Sequence, residues 1–238
     1  MNDPKAESAS PEQSLLPQDS RQAIVVVPAY WDELQADFYL MEKEGNKWRK
    51  HMTDWSVVGK NGTAWGIGRH NCPAGATKKQ EGDGRSPAGV FEIGRCMGYA
   101  AVPAYTHEWP YVTLTKNHIG VDDPESEYYN QVIDTNLVEA DTTSIAVNSF
   151  ETMLRKDDLY QWLFEIRHNP KNEPNCGSLI FLHLWRTIEE GTEGCTAVSG
   201  STMNTLLEWI DPNAHPVLIL LPREVYKEKE KAWRLPTL

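Results

Sequence analysis

The chain has few basic residues for its length and no long apolar run. Among its 238 residues, 23 are Lys or Arg and 34 are Asp or Glu, which gives a formal net charge of −11 at pH 7. A nucleic-acid-binding surface needs basic side chains opposite the phosphates, so this balance argues against a nucleic acid partner. Because no stretch of roughly eighteen consecutive apolar residues occurs, we expect no membrane span.

Sequence motifs for cofactors are also missing. No Cys-x-x-Cys pair and no His-Glu-x-x-His occurs, so zinc ligands at their usual spacing are absent. The glycine-rich segment 82–89 lacks the Gly-Lys-Ser/Thr of a phosphate-binding loop. We therefore expect no metal and no other cofactor. Of the cysteines, Cys72 and Cys96 could form a disulfide, but free thiols at Cys72, Cys96 and Cys176 are the preferred interpretation.

The length favours one folded domain with a polar extension at either end. Residues 1–22 are rich in Pro, Ser and Gln without periodicity, which predicts a disordered leader. Residues 23–222 carry the apolar segments of the domain, and 223–238 predicts a charged tail that is either a surface helix or disordered. The sequence shows no signal peptide, so either a signal or lipid anchor has been removed or the protein is cytoplasmic.

Short apolar and alternating segments predict a mainly β fold with a few helices. The segment 159–166 could also be a helix by its spacing, but its aromatic and β-branched residues favour a strand, after which His168 is interpreted as a solvated loop residue. Residues 202–210 predict a helix capped by the Ser and Gly residues at 199–201. The predicted strands include 23–28, 38–42, 48–50, 55–59, 90–93, 111–115, 159–166 and 216–221, with a hairpin turn at Gly45-Asn46.

The stretch 177–198 carries the candidate catalytic chemistry. Its apolar run 179–182 predicts a buried strand with His183 at the end, and Cys195 follows twelve residues later in a glycine-flanked turn. A free thiol has a pKa of about 8.5, so little thiolate exists at neutral pH unless an imidazole takes the proton. Gly191 and Gly194 would let the backbone approach a substrate carbonyl and direct N–H groups at a developing oxyanion.

Three motifs, taken with their order, resemble the catalytic core of the YkuD-type L,D-transpeptidases, and the resemblance covers about residues 23–222. They are GDGRSPAGVF at 82–91, IFLHLW at 180–185 and GTEGC at 191–195. The family's Ser/Thr-His-Gly-Cys carries Glu193 here in place of the His, and Ala197 stands where Arg or Asn commonly follows the Cys. The chain is similar to the branch that has Thr-x-Gly-Cys-x-Ala.

The resemblance implies a β-sandwich-like mixed sheet of the L,D-transpeptidase type, with a helix packed beside the nucleophile. It also implies cysteine-dependent acyl transfer on peptidoglycan stem peptides. Cys195 would attack the carbonyl of the diamino acid at position three and expel the terminal D-Ala, with His183 as base and then acid. The N–H groups of Gly194 and Cys195 would form the oxyanion hole. The implied compartment is the periplasm or envelope of a bacterium, with the cytoplasm as the alternative, and the oligomeric state is open.

Six further residues are candidates for binding the substrate. A carboxylate at 193 would raise the pKa of the neighbouring thiol unless it points away, and it could instead bind a substrate ammonium. The segment 122–130 resembles a "DDP…YN" segment that lines the cleft in the same branch, and the pair 185–186 directly follows the predicted catalytic strand. The six candidates are Glu193, Asp123, Tyr129, Asn130, Trp185 and Arg186.

Three alternative functions are open at this point. The same scaffold could act as a peptidoglycan hydrolase, either an L,D-carboxypeptidase or an amidase, if water replaces the acceptor amine. A cysteine peptidase or amidase on a substrate other than peptidoglycan would cleave simple peptides without D-residues. An inactive wall-binding module would have kept the fold but would carry an unreactive Cys195.

Overall fold

The structure is a computed structural model that describes residues 14–101, 109–138 and 147–238, so most of the predicted leader, 1–13, lies outside the described residues. Within them the chain forms thirteen strands and two α-helices, and neither helix is long and apolar enough to cross a membrane. The strands are β1 (Gln22–Pro28), β2 (Gln35–Glu44), β3 (Lys47–Val57), β4 (Thr63–Trp65), β5 (Ser86–Gly98), β6 (Tyr111–Thr113), β7 (His118–Val121), β8 (Gln131–Asp134), β9 (Phe150–Thr152), β10 (Trp162–Ile166), β11 (Phe181–Leu184), β12 (Thr196–Val198) and β13 (Val217–Leu220). The helices are α1 (Gly200–Trp209) and α2 (Arg223–Trp233).

Ten of these strands form one mixed sheet, and eight of the ten close into a ring. The order is β10-β11-β12-β3-β2-β1-β13-β5, and β10 pairs with β5 as well as with β11. Within the ring, β1–β13 and β11–β12 are parallel, and the other pairs are antiparallel. The predicted mainly β fold with a mixed sheet is confirmed, and the second pairing of β10 gives that sheet a barrel-like closure.

The long hairpin of β2 and β3 corrects one strand prediction. Its turn is the predicted Gly45-Asn46, flanked by the paired residues Glu44 and Lys47. Gly45 has φ +59°, a left-handed angle that glycine adopts without steric cost. The prediction of a separate strand at 55–59 is wrong, because β3 runs without a break from 47 to 57. Its polar middle stays extended since it pairs with β2 along its length, apart from one bulge at His51.

Side chains of β1 alternate between two cores. Ile24 and Val26 belong to the core inside the ring, which α1 completes, whereas Val25 and Val27 belong to an outer core shared with α2. Helix α1 begins at the predicted cap, where the hydroxyl of Ser199 accepts a hydrogen bond from the backbone of the first turn. Strand β1 is therefore buried on both faces.

The C-terminal segment forms helix α2, one of the two alternatives expected for the charged tail. Tyr226 and Trp233 are buried in the outer core, and the Tyr226 hydroxyl donates to the Pro236 carbonyl at 2.6 Å. Two aromatic rings seven residues apart give an otherwise charged helix one apolar stripe. That stripe holds the helix on the sheet.

A second sheet, of three strands in the order β8-β7-β9, covers the outer face of β10 and β11. Met153, Tyr160 and Phe181 lie in the small core between the two layers, and Cys195 packs against it. The helix that follows Cys195 packs on the opposite face of the sheet, with Leu182 and Val198. The expected helix beside the nucleophile is thus next to it in sequence but across the sheet in space.

Candidate active site

Cys195 and His183 lie on the same face of the main sheet. Strands β11 and β12 run parallel with His183 opposite Ala197, and Cys195 stands two residues before Ala197. Because side chains alternate along a strand and paired residues share a face, all three point outward, under the three-stranded sheet. The two candidate catalytic residues line one cavity of about 300 Å³. The sheet register therefore brings together the predicted base and nucleophile.

The imidazole of His183 is held in the tautomer that a general base needs. Its Nδ1 lies 2.7 Å from the Leu184 carbonyl, which can only accept, so Nδ1 carries the proton and Nε2 is the free acceptor. The Tyr160 ring packs edge-on against the imidazole, with 5.3 Å between ring centroids. Burial lowers the pKa of His183 to about 4, against the opposing effect of the Leu184 carbonyl, so the ring is neutral at pH 7.

The thiol of Cys195 is bonded to the backbone and not to the imidazole. Its Sγ accepts from the Phe181 N–H at 3.3 Å and donates to the Leu179 carbonyl at 3.5 Å. Burial raises the pKa of Cys195 to about 12, and the Phe181 N–H partly offsets that rise. The resting site therefore holds a neutral thiol and a neutral imidazole, so the thiol becomes a thiolate only if its proton is transferred.

Two hydroxyl groups fix the turn that carries Cys195, the candidate nucleophile. Thr192 Oγ1 donates to the Cys195 carbonyl at 2.5 Å, and Ser86 Oγ donates to the same oxygen at 2.6 Å. The Ser86 hydroxyl also accepts from the Gly59 N–H at 2.8 Å. The GDGRSPAG segment therefore acts on the site as scaffold, because its serine ties the turn to β5.

Gly194 supplies the backbone angle of this turn. It has φ +149°, and a methyl group placed on it would lie 3.1 Å from the Arg85 carbonyl. Its N–H donates to Thr192 Oγ1 at 3.1 Å, so this expected oxyanion donor is occupied in the resting structure. Within the described part of the chain the Cys195 N–H has no hydrogen-bond acceptor, which leaves it available to an oxyanion.

Glu193 lies at the solvent-exposed rim of the cavity. Its carboxylate pairs with Lys60 at 2.6 Å, and its side chain is 83% exposed. The carboxylate is thus held toward solvent, the orientation in which it does not raise the pKa of the thiol. The carboxylate that does act on Cys195 is that of Glu151, and its effect is smaller than that of burial.

Trp185 and Arg186 also line the cavity, where Arg186 takes part in a charged network. The guanidinium of Arg186 contacts Asp157 at 2.9 Å and Glu190 at 2.6 Å. Asp157 also binds Arg155 at 2.6 Å. The bonds from the two arginines hold the pKa of Asp157 well below its usual range, so this carboxylate stays charged.

Glu151, Arg155 and Tyr160 face the same cavity, and sequence reasoning missed them. The Tyr160 hydroxyl donates to Glu151 Oε2 at 3.1 Å, and the Arg155 guanidinium lies 5.1 Å from the centroid of the Tyr160 ring. Burial raises the pKa of Glu151 to about 7, because the charged form loses hydration there. Glu151 reaches the cavity from β9 of the three-stranded sheet, and Tyr160 reaches it because β10 pairs with β11, so no local motif marks these residues.

The other three predicted binding residues lie away from the cavity lining. Asp123 accepts the backbone N–H groups of Glu125 and Asn148, and the Tyr129 hydroxyl donates to Glu81. Asn130 Oδ1 accepts the Leu179 N–H at 2.9 Å, which anchors the segment leading to the thiol's backbone partners. The structure shows these side chains bonded within the chain, and substrate binding by them stays a prediction.

His168 is buried, so its interpretation as a solvated loop residue is wrong. Its Nδ1 accepts the Ile67 N–H at 3.1 Å, and its Nε2 lies 2.8 Å from the Cys176 carbonyl. Burial lowers the pKa of His168 to about 4, which keeps the ring neutral. The imidazole therefore bridges two loops and does not line the cavity of Cys195.

All four cysteines are free thiols, as preferred from the sequence over a Cys72–Cys96 disulfide. Burial raises the pKa of Cys96 to about 12, so that thiol stays protonated inside the core. Across the described ranges, no group of three or more His, Cys, Asp or Glu side chains is arranged to hold a metal ion.

A comparison with protein-family models identifies the family. The model of the YkuD L,D-transpeptidase catalytic domain matches residues 35–219. The chain belongs to this family. The matched range begins with β2 and contains both His183 and Cys195. Membership in the YkuD family supports a peptidoglycan-related function of the L,D-transpeptidase type.

The YkuD chain also resembles solved structures at low sequence identity. One is Bd1075 from Bdellovibrio bacteriovorus, with 12% identity, 90% of this chain and 54% of that chain covered, and a TM-score of 0.41. Another is the helical cell shape determining protein Pgp2 from Campylobacter jejuni, with 12% identity, coverage of 86% and 49%, and a TM-score of 0.40. The chain spans about half the length of these structures. No curated protein matches it.

The departures from the commoner YkuD pattern have a structural consequence. Ala197 is fully buried between His183 and Val57 in the sheet, so β12 contributes only a methyl group to the cavity floor. The cations that face the cavity come from elsewhere in this YkuD domain, from Arg155 and Arg186.

Proposed function

We propose that this YkuD domain catalyses cysteine-dependent acyl transfer on peptidoglycan stem peptides, with Cys195 as nucleophile and His183 as general base. The fixed tautomer of His183 carries the proposal, because the Leu184 carbonyl leaves Nε2 as the acceptor in the cavity that contains the thiol. A nucleophile, a base and a group that orients the base make up a catalytic unit of this type. Here the group that orients the base is the backbone carbonyl of Leu184.

The reaction begins when Nε2 of His183 takes the thiol proton as Sγ attacks the carbonyl carbon of the third residue of the stem. The carbonyl electrons move to oxygen, which the Cys195 N–H can stabilise. Collapse of this intermediate breaks the C–N bond, and the imidazolium returns its proton to the leaving D-Ala amine. The thioester is then attacked by an amine of another stem or by water, and Nε2 again takes the proton. The C–S bond breaks, and the imidazolium returns its proton to Sγ, which restores the resting thiol.

Residues at the rim would bind the stem peptide. Arg186 is half-exposed, so a substrate carboxylate can displace one of its two acidic partners. Glu193 is the exposed carboxylate nearest the nucleophile in sequence and would accept a substrate ammonium. Trp185 would supply an apolar surface beside them. Because peptidoglycan lies outside the cytoplasmic membrane, the periplasm or cell envelope of a bacterium is the compartment that this substrate implies.

Hydrolysis is the second candidate, and the size of the cavity favours it. About 300 Å³ is the lower end of the range for small-molecule sites. Such a space suits the end of one stem together with a water molecule better than two peptide stems. The enzyme would then be an L,D-carboxypeptidase or an amidase with the same thioester intermediate.

The deciding experiment incubates the purified protein with disaccharide tetrapeptide and follows the products by mass spectrometry. Loss of D-Ala with a new 3–3 dimer would identify an L,D-transpeptidase, whereas loss of D-Ala alone would identify a hydrolase. We expect Cys195→Ala to abolish turnover and the matched variant Cys176→Ala, at a free thiol outside the cavity, to retain it. Turnover by Cys195→Ala would refute the mechanism. No product from a folded protein whose Cys195 resists thiol reagents would indicate a wall-binding module.

A further inference from the structure

A buried ammonium lies directly behind the turn that carries Cys195. The side chain of Lys79 is only 3% exposed, and its Nζ contacts Asp83 Oδ1 at 2.5 Å and the Gln80 carbonyl at 2.7 Å. A methyl group placed on Gly194 would lie 3.6 Å from this Nζ. Lysine is almost never buried without a partner, because its charge loses hydration. Burial of this ammonium therefore costs free energy, which its two oxygen partners offset.

The ion pair is built into the glycine-rich motif. Asp83 accepts the Arg85 N–H at 2.9 Å and the Gln80 N–H at 2.8 Å, so its carboxylate is held by the turn that leads to Ser86. On the other side, a methyl group on Gly177 would lie 3.0 Å from carbon atoms of Lys79. Glycines with left-handed φ thus border the lysine on two sides and leave room for it.

We propose that Lys79 is a positioning residue for catalysis, whose ammonium lies against the Gly194 backbone and favours negative charge on Cys195 Sγ and on the oxyanion beside the Cys195 N–H. The inference rests on Cys195 being the nucleophile of the proposed function. Its physical basis is Coulomb attraction in a site with little water, where a charge a few ångströms away acts strongly. Lys79 touches no substrate and acts through the turn's electrostatics alone.

The charges around the thiol allow this effect to be separated from others. The fields of Lys79 and Arg155 lower the pKa of Cys195, while burial and Glu151 raise it. Removing the ammonium should therefore raise the pKa of the thiol, and leaving the ammonium without its carboxylate should lower it. The titratable groups that face the thiol besides Lys79 are Glu151, Arg155, Tyr160 and His183, and those that face Lys79 are Asp83 and His168.

The test titrates Cys195 without any substrate. Alkylation by iodoacetamide is followed across pH, and the Cys195 peptide is quantified by mass spectrometry apart from the other thiols. Lys79→Met should raise the apparent pKa by about one unit, so that alkylation at a pH below it is about tenfold slower. Asp83→Asn should shift the pKa in the opposite direction. Lys60→Met is the matched control, because it removes an exposed lysine that contacts the same turn from the solvent side.

If Lys79→Met and Asp83→Asn shift the pKa of Cys195 in opposite directions, the cause is electrostatic. A loosened turn would shift the pKa in the same direction in both variants. Lys79→Arg should retain the wild-type pKa, since it keeps the charge. An unchanged pKa in folded Lys79→Met, or a rise in Asp83→Asn, would overturn the proposal. If Lys79→Met does not fold, the sign of the Asp83→Asn shift decides. Turnover of the tetrapeptide is measured separately, so failure of the proposed function is not confused with failure of this inference.

Discussion

Removing the hydroxyl of Ser86 should lower the stability of the fold and loosen the turn that carries Cys195. Ser86 is fully buried, and Ser86→Ala breaks its bonds to the Cys195 carbonyl and the Gly59 N–H. Each bond is worth about 1 kcal/mol, and a buried N–H without an acceptor costs about 1–3 kcal/mol. The Cys195 carbonyl keeps its bond from Thr192, so the loss falls mainly on Gly59. We expect the free energy of unfolding to fall by about 3 kcal/mol.

Thermal unfolding by circular dichroism measures this loss. For a chain of this size a change of 1 kcal/mol shifts Tm by about 2–4 °C, so Ser86→Ala should lower Tm by about 6–12 °C. The matched control is Ser56→Ala, because Ser56 is equally buried but donates a single bond, to the Ala36 carbonyl at 3.3 Å. About 1 kcal/mol and 2–4 °C are expected there.

Equal Tm values for Ser86→Ala and Ser56→Ala would refute the reasoning. They would show that the two hydrogen bonds of Ser86 contribute no more to the free energy of unfolding than the single bond of Ser56. Ser86→Ala should also slow turnover of the tetrapeptide, since the Cys195 backbone would be held by Thr192 alone. If Tm falls by the full predicted amount while turnover is unchanged, the hydroxyl stabilises the fold without positioning Cys195.

Three further predictions concern the site. His183→Ala should slow acylation by a factor of about 10²–10⁴ in single-turnover assays, and an unchanged rate would remove His183 from the mechanism. The pKa values of His183 and His168 are lowered to about 4, so the unfolded chain binds more protons at these two residues between about pH 4 and 6.5. Glu151, whose pKa is raised to about 7, offsets one of the two. Stability should therefore still fall as pH falls through this window, and a Tm that rises instead would contradict the burial of the histidines. Glu193→Gln should leave the pH dependence of Cys195 alkylation unchanged, because that carboxylate pairs with Lys60 in solvent, and a shift would show that it acts on the thiol.

Local sequence patterns predicted those strands, turns and helices that are determined by residues close together in the sequence. The β-branched run of β1 and the apolar run of β13 pair in the sheet, and the Gly45-Asn46 turn joins β2 to β3. The helix capped by Ser199 also follows from sequence alone. These signals are contained within a few residues, so no knowledge of distant contacts is needed to interpret them.

The rest depends on contacts between distant segments. His168 looks like a loop residue because it precedes Asn169 and Pro170, yet both of its ring nitrogens meet backbone groups of other segments. Tyr160 lies beside His183 only because β10 and β11 pair. Glu151 reaches the cavity through the three-stranded sheet, whose strands of three or four residues leave little periodicity to detect. Sequence reasoning identified the candidate nucleophile and base, which the structure places in one cavity, but not the groups that surround them.

The geometry of the turn explains how a carboxylate can stand where the family commonly has an imidazole. The turn is held by the Thr192 and Ser86 hydroxyls and by the backbone angle of Gly194, so it needs nothing from the side chain at 193. That side chain points to solvent, and its charge is met by Lys60. Control of the thiol then falls to groups that the motif does not contain, with Lys79 behind the turn and Glu151 across the cavity acting in opposite directions. A substitution at 193 should therefore change what the rim binds and leave the reactivity of the nucleophile as it is.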